Sequence, residues 1–276
     1  MDPSLEGQVK QAQEGDREAL ERVIRAIQHR IYGLSLRMLW HPEDAKDATQ
    51  EILIRVITHL ATFRGESSFM TWVYRVAANA LLTIRKVRME EAELTFQAFE
   101  KDLDDGISDA PVAVSPGLDE SLLLEEVKIG CTRAMLLCLD RAHRLAYILG
   151  EILELEGQEG AAVLELTPEA FRKRLSRARS EIVSFMRRKC GLFDPQNACR
   201  CRRRVSQAIT LGRIDPKHLL FASDTQTARN FPQVLSTIRR LEEGQRAVAL
   251  YRSHPDVAAS VDFVTMVESL INQIRD

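Results

Sequence analysis

Wherever this chain is apolar, its apolar residues recur at intervals of three and four, and that period specifies amphipathic helices. The first such stripe lies within Leu5 to Leu39 and runs through Ala19, Val23, Ile24, Ile27, Ile31, Leu34 and Leu36, with Asp16 placed as an N-cap. Composition points the same way, since aromatic residues make up only 6 % of the chain and helix formers dominate. The expected fold class is all-α. With 276 residues the chain exceeds one small domain, so two or three compact units are expected.

The most informative stretch is Pro42 to Arg88. Pro42 suits a first helical turn, where its missing N–H costs nothing. A helix from Glu43 to Leu60 turns Ala45, Ala48, Ile52, Val56 and Leu60 inward, which leaves Asp44, Asp47, Glu51 and Arg55 on another face with Gln50 beside them. That face reads either as solvated surface complementing the helix dipole or as a dock for a protein. Phe63 to Ser68 forms a loop, with Gly65 supplying backbone freedom and Ser67 or Ser68 capping the next helix. That helix carries Phe69, Trp72, Val73, Val76, Ala77, Ala80, Leu81 and Ile84 as a core stripe. Arg75, Asn79, Arg85, Lys86 and Arg88 lie on or beyond its polar side. Rings beside bases suit single-stranded nucleic acid, but on composition alone Phe69 and Trp72 read first as core.

Charge is segregated. Between Met89 and Val127 twelve acids face Lys101 alone, whereas Glu165 to Arg204 holds twelve bases against four acids. The first segment should repel DNA and the second attract it. Glu90 to Glu120, with Gly106, Pro111, Pro116 and Gly117 and weak periodicity, reads as a flexible linker. Helical pattern resumes at Ser121, with Cys131 and Cys138 on the apolar stripe as buried thiols. A short helix from Gln158 to Glu165 then meets Leu166-Thr167-Pro168, which reads as turn, N-cap and first helical residue. The long basic helix that follows turns Phe171, Leu175, Ala178 and Ile182 inward and Arg172, Lys173, Arg174, Arg177 and Arg179 outward. Two helices so joined are a helix-turn-helix candidate, with a solvated basic face as the alternative.

The segments PEDAKDATQEILIRV, FRGESSFMTWVYRVAANALL and TPEAFRKRLSRARSEI, in that order and separated by an acidic stretch, resemble the extracytoplasmic-function group of bacterial RNA polymerase sigma factors over about Gly15 to Arg188. The resemblance implies two helical DNA-binding domains on a tether. Residues 1–89 would be a region-2 bundle, 90–120 the linker, 121–189 a region-4 helix-turn-helix, and 190–276 a Cys-containing segment with a helical extension. It implies docking on the β′ clamp coiled coil of core RNA polymerase through Asp44, Asp47, Gln50, Glu51 and Arg55, with the β subunit also a partner. Phe63, Arg64, Ser67, Ser68, Phe69, Trp72, Arg75 and Asn79 would melt the minus-ten element and hold its strand. Thr167, Glu169, Ala170, Arg172, Lys173, Arg174 and Arg177 would read the minus-thirty-five element. An anti-sigma factor is a further implied partner. Two positions depart from the family pattern: no proline follows Leu139, and Leu164-Glu165 stands where Leu-Gly is usual.

The tail carries Cys190, Cys199 and Cys201, which read as a structural turn, a redox-sensitive cluster or three thiolate ligands for zinc with His218 as a fourth. No other cofactor is expected. Arg200 to Arg204 would extend the basic DNA face. About three amphipathic helices are expected from Val205 onward, as a neutral domain that packs on the DNA-binding parts or recruits a partner, and that regulates by masking a binding face. Nothing resembles a catalytic constellation or a phosphate-cradling loop, which argues against an enzyme. With no signal pattern and no run of roughly 18 apolar residues, a cytoplasmic location without membrane insertion is expected. The rival functions are a helix-turn-helix regulator acting without polymerase and a helical protein that sequesters a transcription factor.

Overall fold

The computed structural model describes residues 4–84, 94–109, 119–255 and 262–265. The expected positions Arg85, Lys86, Arg88, Glu90, Glu91, Glu93, Pro111, Pro116 and Gly117 lie outside these residues. The described residues form helices and no strand, apart from one isolated β-bridge between Cys190 and Cys199. The fold class is all-α, as the periodicity requires.

Two compact units divide the chain. The first gathers Met1–Val87, Leu155–Arg172 and Val257–Asp276, and the second Arg88–Glu154 and Lys173–Asp256. The first unit is built on α1 (Leu5–Gln13), α2 (Arg17–Leu39), α3 (Pro42–Thr58), a 3₁₀ turn (Leu60–Thr62) and α4 (Phe69–Thr83). Asp16 caps α2 by accepting from the Ala19 amide at 3.0 Å, and Pro42 opens α3 at its first position. Val23, Ile24, Ile27 and Ile31 of α2, Ala45, Ala48, Ile52 and Val56 of α3, and Phe69, Val73, Ala77 and Leu81 of α4 are all buried. Each set is one helical stripe, and α2 packs on both α3 and α4. Tyr32 of α2 also meets Phe263, with ring centroids 6.2 Å apart.

In the second unit the acidic stretch departs from the expected tether. It contains α5 (Phe96–Asp105), capped by Thr95 and burying Phe99 and Leu103. Phe99 stacks on Phe185 at 5.5 Å between centroids. Around it lie α6 (Glu120–Leu137), α7 (Arg141–Tyr147), a π-helical turn (Ile148–Ile152), the later part of α9 (Pro168–Lys189), α10 (Cys201–Thr210), α11 (Thr225–Ile238) and α12 (Glu243–Arg252). Among the described residues, α10, α11 and α12 make up the tail of this unit. They are integral to the unit: α10 and α11 pack on α6, and Leu123, Val127, Val205 and Ile214 share one apolar cluster. The buried Glu126 carboxylate accepts the backbone amides of Leu220, Phe221 and Ala222 at 2.8, 2.9 and 2.8 Å, which fixes the tail to α6. Where the family proline is missing after Leu139, Asp140 instead caps α7 through the His143 amide at 2.9 Å.

Three of the four acids of α5 are neutralised within the unit. Asp102 pairs with Arg204 at 3.0 Å and Arg213 at 2.6 Å, and Lys189 reaches Glu100 at 3.1 Å and Asp104 at 2.8 Å. Hydrogen bonding from Arg213, with the charges of both arginines, holds the Asp102 carboxyl below its usual 3.8 against the opposing effect of burial. A carboxyl lowered in the fold stabilises it above the ordinary aspartate range and loses that contribution as pH falls through the folded value. Asp102→Asn should therefore lower the thermal midpoint at pH 7, and the gap from wild type should narrow below about pH 4, as followed by circular dichroism.

In the first unit, α8 (Gly157–Val163) ends in a Schellman turn. The Leu166 amide donates to the Ala161 carbonyl at 2.9 Å and the Glu165 amide to Ala162 at 3.4 Å, with Glu165 at φ 53°. A left-handed residue with a Cβ is strained by roughly 1–2 kcal/mol. Glu165→Gly should recover about 1 kcal/mol and raise the melting midpoint by about 2 °C in a thermal scan.

Candidate nucleic-acid interface

The buried row of α3 dictates what its opposite face shows. Asp47 and Glu51 are exposed, and Asp44, Gln50 and Arg55 are half-exposed. Arg55 donates to the Glu51 carboxylate one turn away, so it steadies the acid rather than standing apart as a cation. The face as a whole is acidic, and the five expected residues lie along one helix.

The loop after the 3₁₀ turn is held from a side the sequence did not reveal. Gln13 of α1 donates its side-chain amide to the carbonyls of Leu60 and Phe63, both at 2.9 Å. Gly65 takes a positive φ of 73°, as its position in the loop requires. Arg64 and Ser68 are exposed and Ser67 half-exposed, while the Ser68 hydroxyl caps α4 by accepting the Thr71 amide at 3.1 Å. Phe63, Phe69 and Trp72 form one cluster, with centroids 5.3 to 5.8 Å apart. Within it Phe69 is fully buried and Trp72 is 7 % exposed. These two rings are core beneath the loop, and Phe63 is the half-exposed one. Farther along α4, Arg75 is half-exposed and Asn79 exposed. Thr71 donates its hydroxyl to Glu159 of α8 at 2.7 Å, so α8 packs on α4 within this unit.

The helix-turn-helix expected at Gln158 to Ile182 has its parts in place. Thr167 accepts the Ala170 amide at 3.2 Å and starts α9, and Phe171 packs under Gly160 of α8. Thr167, Glu169, Arg172, Lys173 and Arg177 are exposed, and Ala170 and Arg174 half-exposed. Among the described residues, no carboxylate forms an ion pair with Arg172, Arg174 or Arg177. Farther along, the bases are engaged. Arg187 pairs with Glu243, Arg188 with Glu100 at 3.5 Å, and Arg203 with Asp109 at 2.5 Å. Arg200 donates to the carbonyls of Pro195, Asn197 and Cys199, and Arg204 is buried. Arg202 pairs with Glu120 at 3.2 Å, so from Arg200 to Arg204 the bases are engaged within the fold instead of forming a free basic face. Local composition showed the excess of bases, but the acids that engage Arg188, Arg203 and Arg204 stand about ninety to a hundred residues upstream.

A family model for sigma-70 region 2 matches residues 23–88, the span of α2, α3, the aromatic loop and α4. The chain is 29 % identical over 177 residues to the RNA polymerase sigma-H factor of Pseudomonas aeruginosa, covering 63 % of this chain and 89 % of that protein. It is 26 % identical over 186 residues to the ECF RNA polymerase sigma factor SigW of Bacillus subtilis, covering 63 % of this chain and 98 % of the relative. With the ECF RNA polymerase sigma-E factor of Escherichia coli K12 it shares 28 % over 177 residues, 63 % of this chain and 90 % of the relative. These likenesses support an extracytoplasmic-function sigma factor.

Relatives matched nearly end to end leave over a third of this chain outside the shared part. No helix among the described residues is long and apolar enough to cross a membrane. His218, expected as a possible zinc ligand, instead pairs with Asp215 at 3.1 Å and has a side chain 82 % exposed.

Proposed function

We propose that this sigma factor joins core RNA polymerase through the acidic face of α3 and directs initiation at promoters with a minus-ten and a minus-thirty-five element. The observation that carries the reading is the pairing of two exposed faces of opposite charge on separate helices: Asp47 and Glu51 on α3, and Arg172 and Arg177 on α9. An acidic helix face suits a basic protein surface, and a row of cations at the start of a recognition helix suits a duplex backbone and major groove.

Asp44, Gln50 and Arg55 complete the polymerase dock. In the promoter-melting segment, Phe63, Arg64 and Ser67 meet the opened strand, with Arg75 and Asn79 along α4. Phe69 and Trp72 act from below, as the apolar floor that fixes the Phe63 ring and the loop backbone. One exposed ring with nearby cations can stack on an unpaired base and neutralise its phosphate. Thr167, Glu169, Ala170, Lys173 and Arg174 line the duplex-reading surface with Arg172 and Arg177. An anti-sigma factor would act by covering one of these faces. A helix-turn-helix regulator working without polymerase would have no use for the α3 face, and that difference separates the two readings.

Transcription reconstituted with core polymerase and a promoter library is the direct test: promoter-selective initiation is expected only when both proteins are present. Asp47→Ala with Glu51→Ala should weaken core-polymerase association at least about tenfold while leaving binding to isolated duplex unchanged. Unaltered polymerase affinity would remove the docking assignment. Arg172→Ala with Arg177→Ala should weaken upstream duplex contact and flatten its salt dependence by about two phosphate contacts, measured by fluorescence anisotropy over a salt series. An unchanged slope would remove these two residues from the interface.

A further inference from the structure

Four of the five cysteines meet in one place. Cys131 from α6, Cys190 from the end of α9, Cys199 from the loop beyond it and Cys201 from the start of α10 line a single cavity of about 20 Å³. That volume admits one water-sized occupant and no organic ligand. The remaining wall combines apolar Leu103, Val127, Met135 and Leu192 with the cations Lys128 and Arg204, whose charge would offset a four-thiolate site, and no carboxylate or imidazole belongs to it. The fifth cysteine, Cys138, lies outside, its thiol donating to the Ala134 carbonyl at 3.4 Å.

We propose that Cys131, Cys190, Cys199 and Cys201 form a structural four-thiolate site for a soft divalent cation, zinc being the ordinary occupant. A closed set of four sulfur donors suits zinc and excludes hard cations, which require oxygen. The loop between Cys190 and Cys201 is built as such sites are built. Cys190 and Cys199 are joined as a β-bridge, with the Gly191 amide donating to the Cys199 carbonyl at 3.0 Å. The amides of Phe193 and Asp194 donate to the Cys190 carbonyl at 3.1 and 2.9 Å, closing a tight turn directly after that cysteine. Asn197 ties the loop back by donating to the carbonyls of Arg187 and Cys190 at 3.0 and 3.2 Å. Arg239 and Arg246 grip the same loop at the carbonyls of Gly191 and Phe193, at 3.0 and 2.9 Å.

All five cysteines are unbridged. As the side chains stand, no three His, Cys, Asp or Glu groups among the described residues converge at ligating geometry, so closure on an ion requires thiol rotation. Without a cation these thiols resist ionisation. Burial first, and then the neighbouring sulfurs, push the Cys131 and Cys201 thiols up and Cys199 up to about 11. A bound divalent cation reverses that balance: each thiol releases a proton as its sulfur joins the ion. No oxidant or reductant enters the step. The resulting cross-link would join α6, α9 and α10, whose cysteines are separated by up to seventy positions.

The test uses the full chain, purified reduced and without chelator. Metal analysis should find about one zinc per chain, and anaerobic cobalt(II) added to the stripped protein should give thiolate-to-cobalt absorption that zinc abolishes. In the zinc form, alkylation followed by peptide mass mapping should label Cys138 while sparing the other four. Cys131→Ser and Cys199→Ser should each reduce cobalt affinity at least about tenfold, whereas His218→Ala and Cys138→Ser should not. The alkylation pattern is read on the wild type, so it stands even where a variant folds poorly. The proposal fails if the reduced wild type takes up neither metal, if Cys131 is alkylated as fast as Cys138 with zinc present, or if His218→Ala abolishes uptake. A Cys190–Cys199 disulfide in protein isolated without oxygen would also overturn it. None of these readouts depends on transcription, so they stand or fall apart from the promoter function.

Discussion

The buried Arg204 side chain sets the terms for the second unit. Its guanidinium donates to the carbonyls of Asp102 and Leu103 at 2.9 and 3.1 Å and to the Asp102 carboxylate at 3.0 Å, and the residue is 5 % exposed. A cation taken that far from water is tolerable only when fully paired, and removing its partner would cost several kcal/mol. That requirement pulls an acidic segment onto a basic one. It also explains Gly106: a Cβ there would come within 1.7 Å of the Arg204 guanidinium, so the end of α5 accepts no larger residue. The more exposed pairs around it, such as Lys189 with Asp104, add little individually and serve to orient the two helices. Arg204 also lines the thiol cavity, so the contact that holds α5 helps to shape the proposed cation site.

Features governed by local physics were legible in the sequence. Helical periodicity located α2, α3 and α4 and named their buried rows, while Asp16, Thr167 and the pair Ser67 or Ser68 were readable as caps because capping depends on residues only two or three positions away. Even the departure at Glu165 carried information, since the residue occupies the left-handed position that glycine usually fills. The exposed acidic face of α3 and basic face of α9 were legible in outline. The ranking of Phe63, Phe69 and Trp72 was not, because all three are apolar and adjacent, and only the packing of α4 decides which ring remains outside.

What stayed hidden depends on partners far along the chain. The stretch holding α5 looked like a tether because its acids outweighed Phe96, Phe99 and Leu103, which stand at helical spacing; the bases that neutralise it come some ninety positions later. Cys131 looked like an ordinary core thiol for the same reason. Its apolar stripe was visible, whereas its proximity to Cys190, Cys199 and Cys201 depends on how α10 packs against α6. His218 was the better guess by sequence distance, yet it is turned outward toward Asp215.

The same long-range packing changes what the extension after Arg204 can be asked to reveal. Val205 and Ile214 belong to the cluster on α6, and the amides of Leu220, Phe221 and Ala222 satisfy the buried Glu126 carboxylate. Removing the tail would strip that cluster and leave Glu126 buried without donors, a loss of the kind that unfolds small domains. A truncated chain would report collapse rather than release of a masked face. Regulation by the tail is therefore better sought in its exposed positions, such as Leu211, Leu220 and Val234, which stand 48, 39 and 44 % exposed. Changes there alter what the tail offers to a partner while leaving in place the contacts that fold the unit.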